Sequence, residues 1–222
     1  MNRRARPTLG YRVVAALVLL GERLLRWRID AEGLEHVPDG GAVMTWNHTG
    51  HLDVVVTAVP LHRWTGRWPR FLALRDLWDR PVLGNVLRLV DCIPVERSSA
   101  AGGEALTHAV DALEDGDLVM VAPEGTISRS FELLPFHTGA ARMAQQAGVP
   151  LVPTASWGSH RVATTGRSIS WRSIWRLPVT VRVGDPIHVG PDDDPAAATD
   201  VLRRRTQELL DEARAAHLDV LP

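Results

Sequence analysis

Short apolar runs alternate along this chain with longer segments whose apolar residues recur every third or fourth position. The runs Ala42–Trp46, Arg70–Leu74, Cys92–Val95, Leu118–Ala122, Leu151–Trp157 and Val179–Val183 read as strands. Leu118–Ala122 is apolar throughout, as a strand covered on both faces should be. Ile29–His36 reads as a strand followed by a turn ending in Pro38-Asp39-Gly40-Gly41. Helical spacing covers Tyr11–Trp27, Asp79–Val90 with Pro81 in its first turn, Gly139–Ala147 before Gly148, and roughly Ala197–His217. It also covers Glu104–Glu114, where Leu106, Ala109, Val110 and Leu113 point inward and Gly116 closes the helix. Val54–Val59 fits either a helix or a strand. Residues 61–70, with Trp64 and Trp68 among arginines, read as irregular, and 158–177 as an excursion over one face. Strands alternating with helices from residue 41 onward predict a layered α/β domain with a mostly parallel central sheet flanked by helices.

The first 28 residues differ from the rest. They carry seven arginines against one acid, Glu22, while the whole chain of 222 residues has a net charge of −1. Val13, Leu17, Leu20 and Leu24 form one face of the expected helix, with Arg12, Arg23 and Arg26 beside it. The uninterrupted run Val13–Leu20 falls short of the roughly 20 apolar residues that span a bilayer. A basic amphipathic helix of this kind suits the interface plane of an anionic membrane. The alternative is an ordinary helix packed on the domain. Two segments are therefore expected: a membrane-association segment, 1–28, and a layered domain, 29–222. No A-x-A-like site follows the first apolar run, so no cleavable signal is expected. The near-neutral charge gives no sign of nucleic-acid binding. One cysteine, Cys92, excludes an internal disulfide and any multi-cysteine metal site, and its apolar neighbours predict a buried, inert thiol.

Candidate chemistry sits in the turn after the Ala42–Trp46 strand, Asn47-His48-Thr49-Gly50-His51-Leu52-Asp53. If a helix starts within this turn, Asp53 folds back to accept a hydrogen bond from one ring nitrogen of His48. The other nitrogen is then free to act as a base. The turn contains no serine or cysteine nucleophile, so the pair suits deprotonation of a hydroxyl on the substrate itself. The plainer alternative is that both residues cap a helix. A metal site from His48, His51 and Asp53 is a poor match, because the histidine spacing is wrong and further ligands are lacking.

Asn47-His48-x4-Asp53 resembles the first motif of the glycerolipid acyltransferases. Ile93-Pro94-Val95-Glu96-Arg97, Pro123-Glu124-Gly125-Thr126 and Val149-Pro150-Leu151-Val152-Pro153 match later motifs in order. The resemblance implies transfer of a fatty acyl group from acyl-CoA or acyl-carrier protein to a lysophospholipid. The acceptor would be 1-acylglycerol-3-phosphate and the product phosphatidic acid. It implies that His48 is the base, that Asp53 orients it, and that no metal or bound cofactor is needed. Arg97, Glu124, Gly125, Thr126 and Arg129 would form the acceptor side, with the arginines on the phosphate and Glu124 orienting an arginine or the turn. Pro153 would shape the acyl-binding wall. The implied location is the cytoplasmic face of the membrane, peripherally bound. Two positions depart from the family pattern. Gly50 stands where serine is frequent, which would loosen the turn, and Ile127 stands where arginine often follows the threonine. The second departure leaves open another lysolipid or glycolipid acceptor. A thioesterase using activated water and a catalytically silent membrane-binding module are the readings from other classes.

Overall fold

The computed structural model describes residues 8–96, 102–164 and 170–220. Its helices are α1 (Leu9–Leu24), α2 (Asp53–Thr65), α3 (Pro81–Leu89), α4 (Gly102–Glu114), α5 (Gly139–Ala147), α6 (Trp171–Ile174) and α7 (Pro195–Val220). Its strands are β1 (Arg28–Glu32), β2 (Ala42–Thr45), β3 (Arg70–Leu74), β4 (Ile93–Val95), β5 (Leu118–Val121), β6 (Leu151–Trp157) and β7 (Pro178–Val183). They form one seven-stranded sheet in the order β1-β7-β6-β2-β5-β3-β4. Every neighbouring pair is parallel except β6 and β7.

The apolar runs fill both faces of the sheet, and alternate residues divide between two cores. Met44, Met120 and Val152 point to the side covered by α2, where Val56, Ala58 and Leu61 meet them. Val43, Val119 and Leu151 point to the side covered by α4, α5 and α7, against Leu113, Met143 and Leu202. Because β2, β3, β4 and β5 run the same way, the segments that leave their C-terminal ends emerge along one edge of the sheet. That edge is where an open α/β sheet binds its ligands.

Two stretches differ from the sequence expectation. The β-branched run Val54–Val59 is helical, and α2 continues to Thr65 through the stretch expected to be irregular. Burial of its inner face outweighs the strand preference of valine, and left-handed Gly66 ends the helix. The arginines of that stretch bind other parts of the protein. Arg63 pairs with Glu22, Arg67 donates to the carbonyls of Pro38, Gly40 and Gly116, and Arg70 lies near Asp91 and Asp117. Trp68 stacks on His62, while Trp64 stays exposed.

Helix α1 is fastened to the domain. The Tyr11 hydroxyl donates to the Pro69 carbonyl at 3.0 Å, and buried Glu22 accepts from Arg63 at 2.6 Å. Its inward side is the narrow one, formed by Tyr11, Ala15 and Glu22. Leu9, Val13, Leu17, Leu20 and Leu24 face away from the protein. The first turn of neighbouring α3 adds exposed Val82 and Leu83.

Candidate active site

The last residue before the histidine fixes the turn in place. Asn47 is fully buried. Its amide donates to the Ser156 carbonyl at 3.1 Å and accepts from the Ser156 N–H at 2.8 Å, so it bolts the end of β2 to β6. His48 follows, with its backbone N–H donating to Glu124 Oε1 at 2.8 Å. Its carbonyl accepts from the Ser128 N–H at 2.7 Å. The chain then turns sharply so that Asp53 opens α2.

This turn brings Asp53 Oδ2 to 3.0 Å from His48 Nδ1. The same oxygen accepts from the N–H groups of Thr49 at 2.6 Å and Gly50 at 2.8 Å. Asp53 Oδ1 accepts from the Ser159 hydroxyl. The Asp53 side chain is 0% exposed and that of His48 19% exposed. Four donors and the positive end of a helix fix this buried carboxylate in place as a hydrogen-bond acceptor. It holds the imidazole with Nδ1 as donor, which turns Nε2 outward as the free acceptor. Trp46 meets the His48 ring edge-on, with centroids 6.1 Å apart. Among the described residues no hydroxyl or thiol is hydrogen-bonded to Nε2 of His48.

The segment after β6 encloses the turn. The His51 N–H donates to Ala163 O at 3.0 Å, and Thr164 Oγ1 donates to Thr49 O at 2.8 Å. Gly50 lies against the same segment, and a Cβ there would come within 2.8 Å of Ala163 O and 3.1 Å of His160 Cα. The glycine therefore permits a close backbone approach. It does not loosen the turn, as the sequence comparison suggested.

Glu124 faces inward. Its Oε1 takes the His48 N–H, and Oε2 takes the Leu134 N–H at 3.0 Å, so one carboxylate holds both the histidine and the far side of the 125–137 loop. Burial raises its proton affinity above the ordinary glutamate range, and the two N–H groups partly counter that rise. Gly125 takes a left-handed φ of 64°. Thr126 and Arg129 are exposed on the loop that follows. Arg97 lies outside the described residues. His51 is exposed, and among the described residues no group of three His, Cys, Asp or Glu is gathered to hold a metal ion. Pro153 lines a cavity of about 620 Å³ between β1, β7 and α7, with His36, Arg182 and Arg205. That cavity contains neither His48 nor Asp53.

The sequence profile of the Acyltransferase family matches residues 28–157, more than half of the chain. The chain belongs to the Acyltransferase family. Relatives of this acyltransferase include the 1-acyl-sn-glycerol-3-phosphate acyltransferase of Bacillus subtilis (strain 168). The two are 27% identical over 188 residues, covering 83% of this chain and 89% of that one. The enzyme of the same name from Limnanthes douglasii is 32% identical over 123 residues, covering 53% of this chain and 41% of that one. Among solved structures, the 1-acyl-sn-glycerophosphate (LPA) acyltransferase PlsC from Thermotoga maritima shares the fold. Its TM-score is 0.64 at 23% identity, over 90% of this chain and 80% of that one.

Two participants in this acyltransferase site carried no local signal in the sequence. Asn47 stood in the first motif with no role assigned to it, and Ser159 lies 106 positions from the carboxylate it meets. Only the paired β2 and β6 bring either contact about.

Proposed function

We propose that this acyltransferase transfers a fatty acyl group from an acyl thioester to the free hydroxyl of 1-acylglycerol-3-phosphate, forming phosphatidic acid. The observation that carries the reading is the 3.0 Å bond between His48 Nδ1 and the buried Asp53 carboxylate, which leaves Nε2 as an unoccupied base. Nε2 removes the proton of the acceptor hydroxyl as the oxygen attacks the thioester carbonyl. Asp53 stabilises the imidazolium that forms. The tetrahedral adduct then collapses, the carbon–sulfur bond breaks, and the proton leaves with the thiol. Oxygen gains the acyl group and sulfur gains the hydrogen, so no acyl-enzyme, metal or organic cofactor enters the step. The donor is acyl-CoA or acyl-carrier protein.

Arg97 and Arg129 are assigned to the acceptor phosphate, with Gly125 and Thr126 lining the approach. Exposed Arg129 supports its part in this assignment. Glu124 contributes by holding the His48 backbone. The acceptor is a bilayer lipid, and the exposed face of α1 with Val82 and Leu83 gives the protein an apolar surface rimmed by Arg12, Arg23 and Arg26. Among the described residues no helix is long and apolar enough to cross a membrane. Peripheral docking on the anionic cytoplasmic leaflet accounts for both features. Ile127, where an arginine is frequent in the family, favours a second reading in which the acceptor head group differs.

The test is product identity. The purified chain is incubated with labelled acyl-CoA and a panel of lysolipids, and the products are identified by mass. Phosphatidic acid is expected. Free fatty acid with no lipid product would replace acyl transfer with thioester hydrolysis. His48→Ala should lower kcat by about 10²–10⁴-fold with lipid binding retained, and near-parental turnover in that variant would remove the base assignment.

A further inference from the structure

We propose that Ser159 is a positioning residue of the catalytic dyad, the outer member of a Ser159–Asp53–His48 chain. The inference rests on the reading of His48 as the base. It extends that reading to a residue two positions beyond the end of the family match at Trp157.

The argument begins with how the two oxygens of Asp53 are shared out. Oδ2 takes the donors from its own turn: His48 Nδ1–H and the N–H groups of Thr49 and Gly50. Oδ1 has one partner among the described residues, the Ser159 hydroxyl. The terminal torsion of aspartate is broad and nearly two-fold, so local contacts on one oxygen alone define its plane weakly. A donor on the opposite oxygen fixes that plane and holds Oδ2 on the imidazole. A carboxylate that rotates would let the ring turn or change tautomer, and Nε2 would then be misaligned for proton transfer.

The surroundings of Ser159 are built to deliver this hydroxyl. Ser159 is itself buried. It directly follows Gly158, where φ is 117° and a Cβ would lie 2.3 Å from Pro178 O. Only glycine takes that turn at that distance, and the turn swings the chain from the end of β6 back toward the dyad. The contacts of Ala163 with His51, and of Thr164 with Thr49, then clamp the same stretch onto the catalytic turn. The hydroxyl donates to a carboxylate and has no bond to Nε2 of His48, so Ser159 is placed to orient and not to attack.

The test uses the 222-residue chain with Ser159→Ala, His48→Ala and the double variant. A hydrogen bond to a charged group predicts a fall in kcat of roughly 10- to 100-fold for Ser159→Ala. Both KM values should stay within about twofold of the parent, because a residue that acts through Asp53 touches neither substrate. In the His48→Ala background the Ser159 substitution should cost nothing further, since members of one unit are non-additive. A kcat for Ser159→Ala within twofold of the parent overturns the proposal, and so does an equal loss in both backgrounds. Should Ser159→Ala not fold, Ser159→Cys fills the same space with a weak donor and must show the same kcat-selective loss. Near-parental turnover in His48→Ala alone would instead strike the base assignment, a result that the Ser159 measurement cannot mimic.

Discussion

Replacing Asn47 should separate the scaffold of the site from its chemistry. Asn47→Ala removes two hydrogen bonds, at 3.1 and 2.8 Å, and strands the N–H and carbonyl of Ser156 in a part of the sheet closed to solvent. Each stranded group costs about 1–3 kcal/mol, so the pair costs about 2–6 kcal/mol. For a chain of this size each kcal/mol lowers Tm by about 2–4 °C, which predicts a fall of roughly 4–24 °C in a thermal scan. Asn47→Asp sharpens the test. Its carboxylate can still accept from the Ser156 N–H, but the other oxygen faces the Ser156 carbonyl and repels it. Protonation restores a donor there. The folded protein therefore raises the proton affinity of this aspartate above its unfolded value near 3.9. A group whose folded pKa is raised gives stability below the unfolded value and loses it as pH climbs through the folded one. Asn47→Asp should thus lie closest to the parent at acid pH and fall behind it toward neutrality. If Asn47→Ala melts within 2 °C of the parent, or the Asp variant shows no such pH trend in urea titrations, the bolt between β2 and β6 is not what holds the turn.

Gly50→Ser, which restores the residue frequent in the family, should destabilise by about 1–3 kcal/mol in urea titrations, because its Cβ meets fixed backbone atoms of residues 160 and 163. Cys92 should resist alkylation at pH 8 until the protein is denatured, since burial lifts its thiol to about 12 and leaves roughly one thiolate in 10⁴. Arg129→Ala should raise the acceptor KM far more than the donor KM, and equal turnover on a phosphate-free acceptor would reassign the head group. Converting Leu17, Leu20 and Leu24 to serine should abolish sedimentation with anionic vesicles and leave Tm near the parental value, because these side chains face away from the domain.

The strands and several helices were legible because their signal is local. Leu151–Trp157 and Gly139–Ala147 appear with the bounds that their apolar runs and flanking glycines suggested. The His48–Asp53 pair was legible for the same reason, since five residues of turn decide it. Periodicity marked the apolar face of α1 but could not say which way it looks. The answer depends on Tyr11 and Glu22, whose partners Pro69 and Arg63 lie in distant elements. An orienting part for Glu124 was expected, but which groups it holds, the N–H groups of His48 and Leu134, depends on the folded loop. Arg67 stood in a stretch read as irregular, and only the folded chain brings the 38–40 carbonyls to it.

The attachments of α1 to Pro69 and Arg63 set a mechanical condition on catalysis. A helix fastened at two points is a strut, not a leash. Any surface that α1 settles on holds the sheet above it at one height and one tilt. If that surface is a bilayer, the enzyme would meet its acceptor by gliding over a plane at a fixed tilt. Nε2 of His48 would then stand at a constant elevation over that plane, and the acceptor would have to bring its hydroxyl up to meet it. Discrimination between lipids can then follow from how far each head group lifts its hydroxyl out of the leaflet, a molecular ruler that needs no contact with the acyl chain.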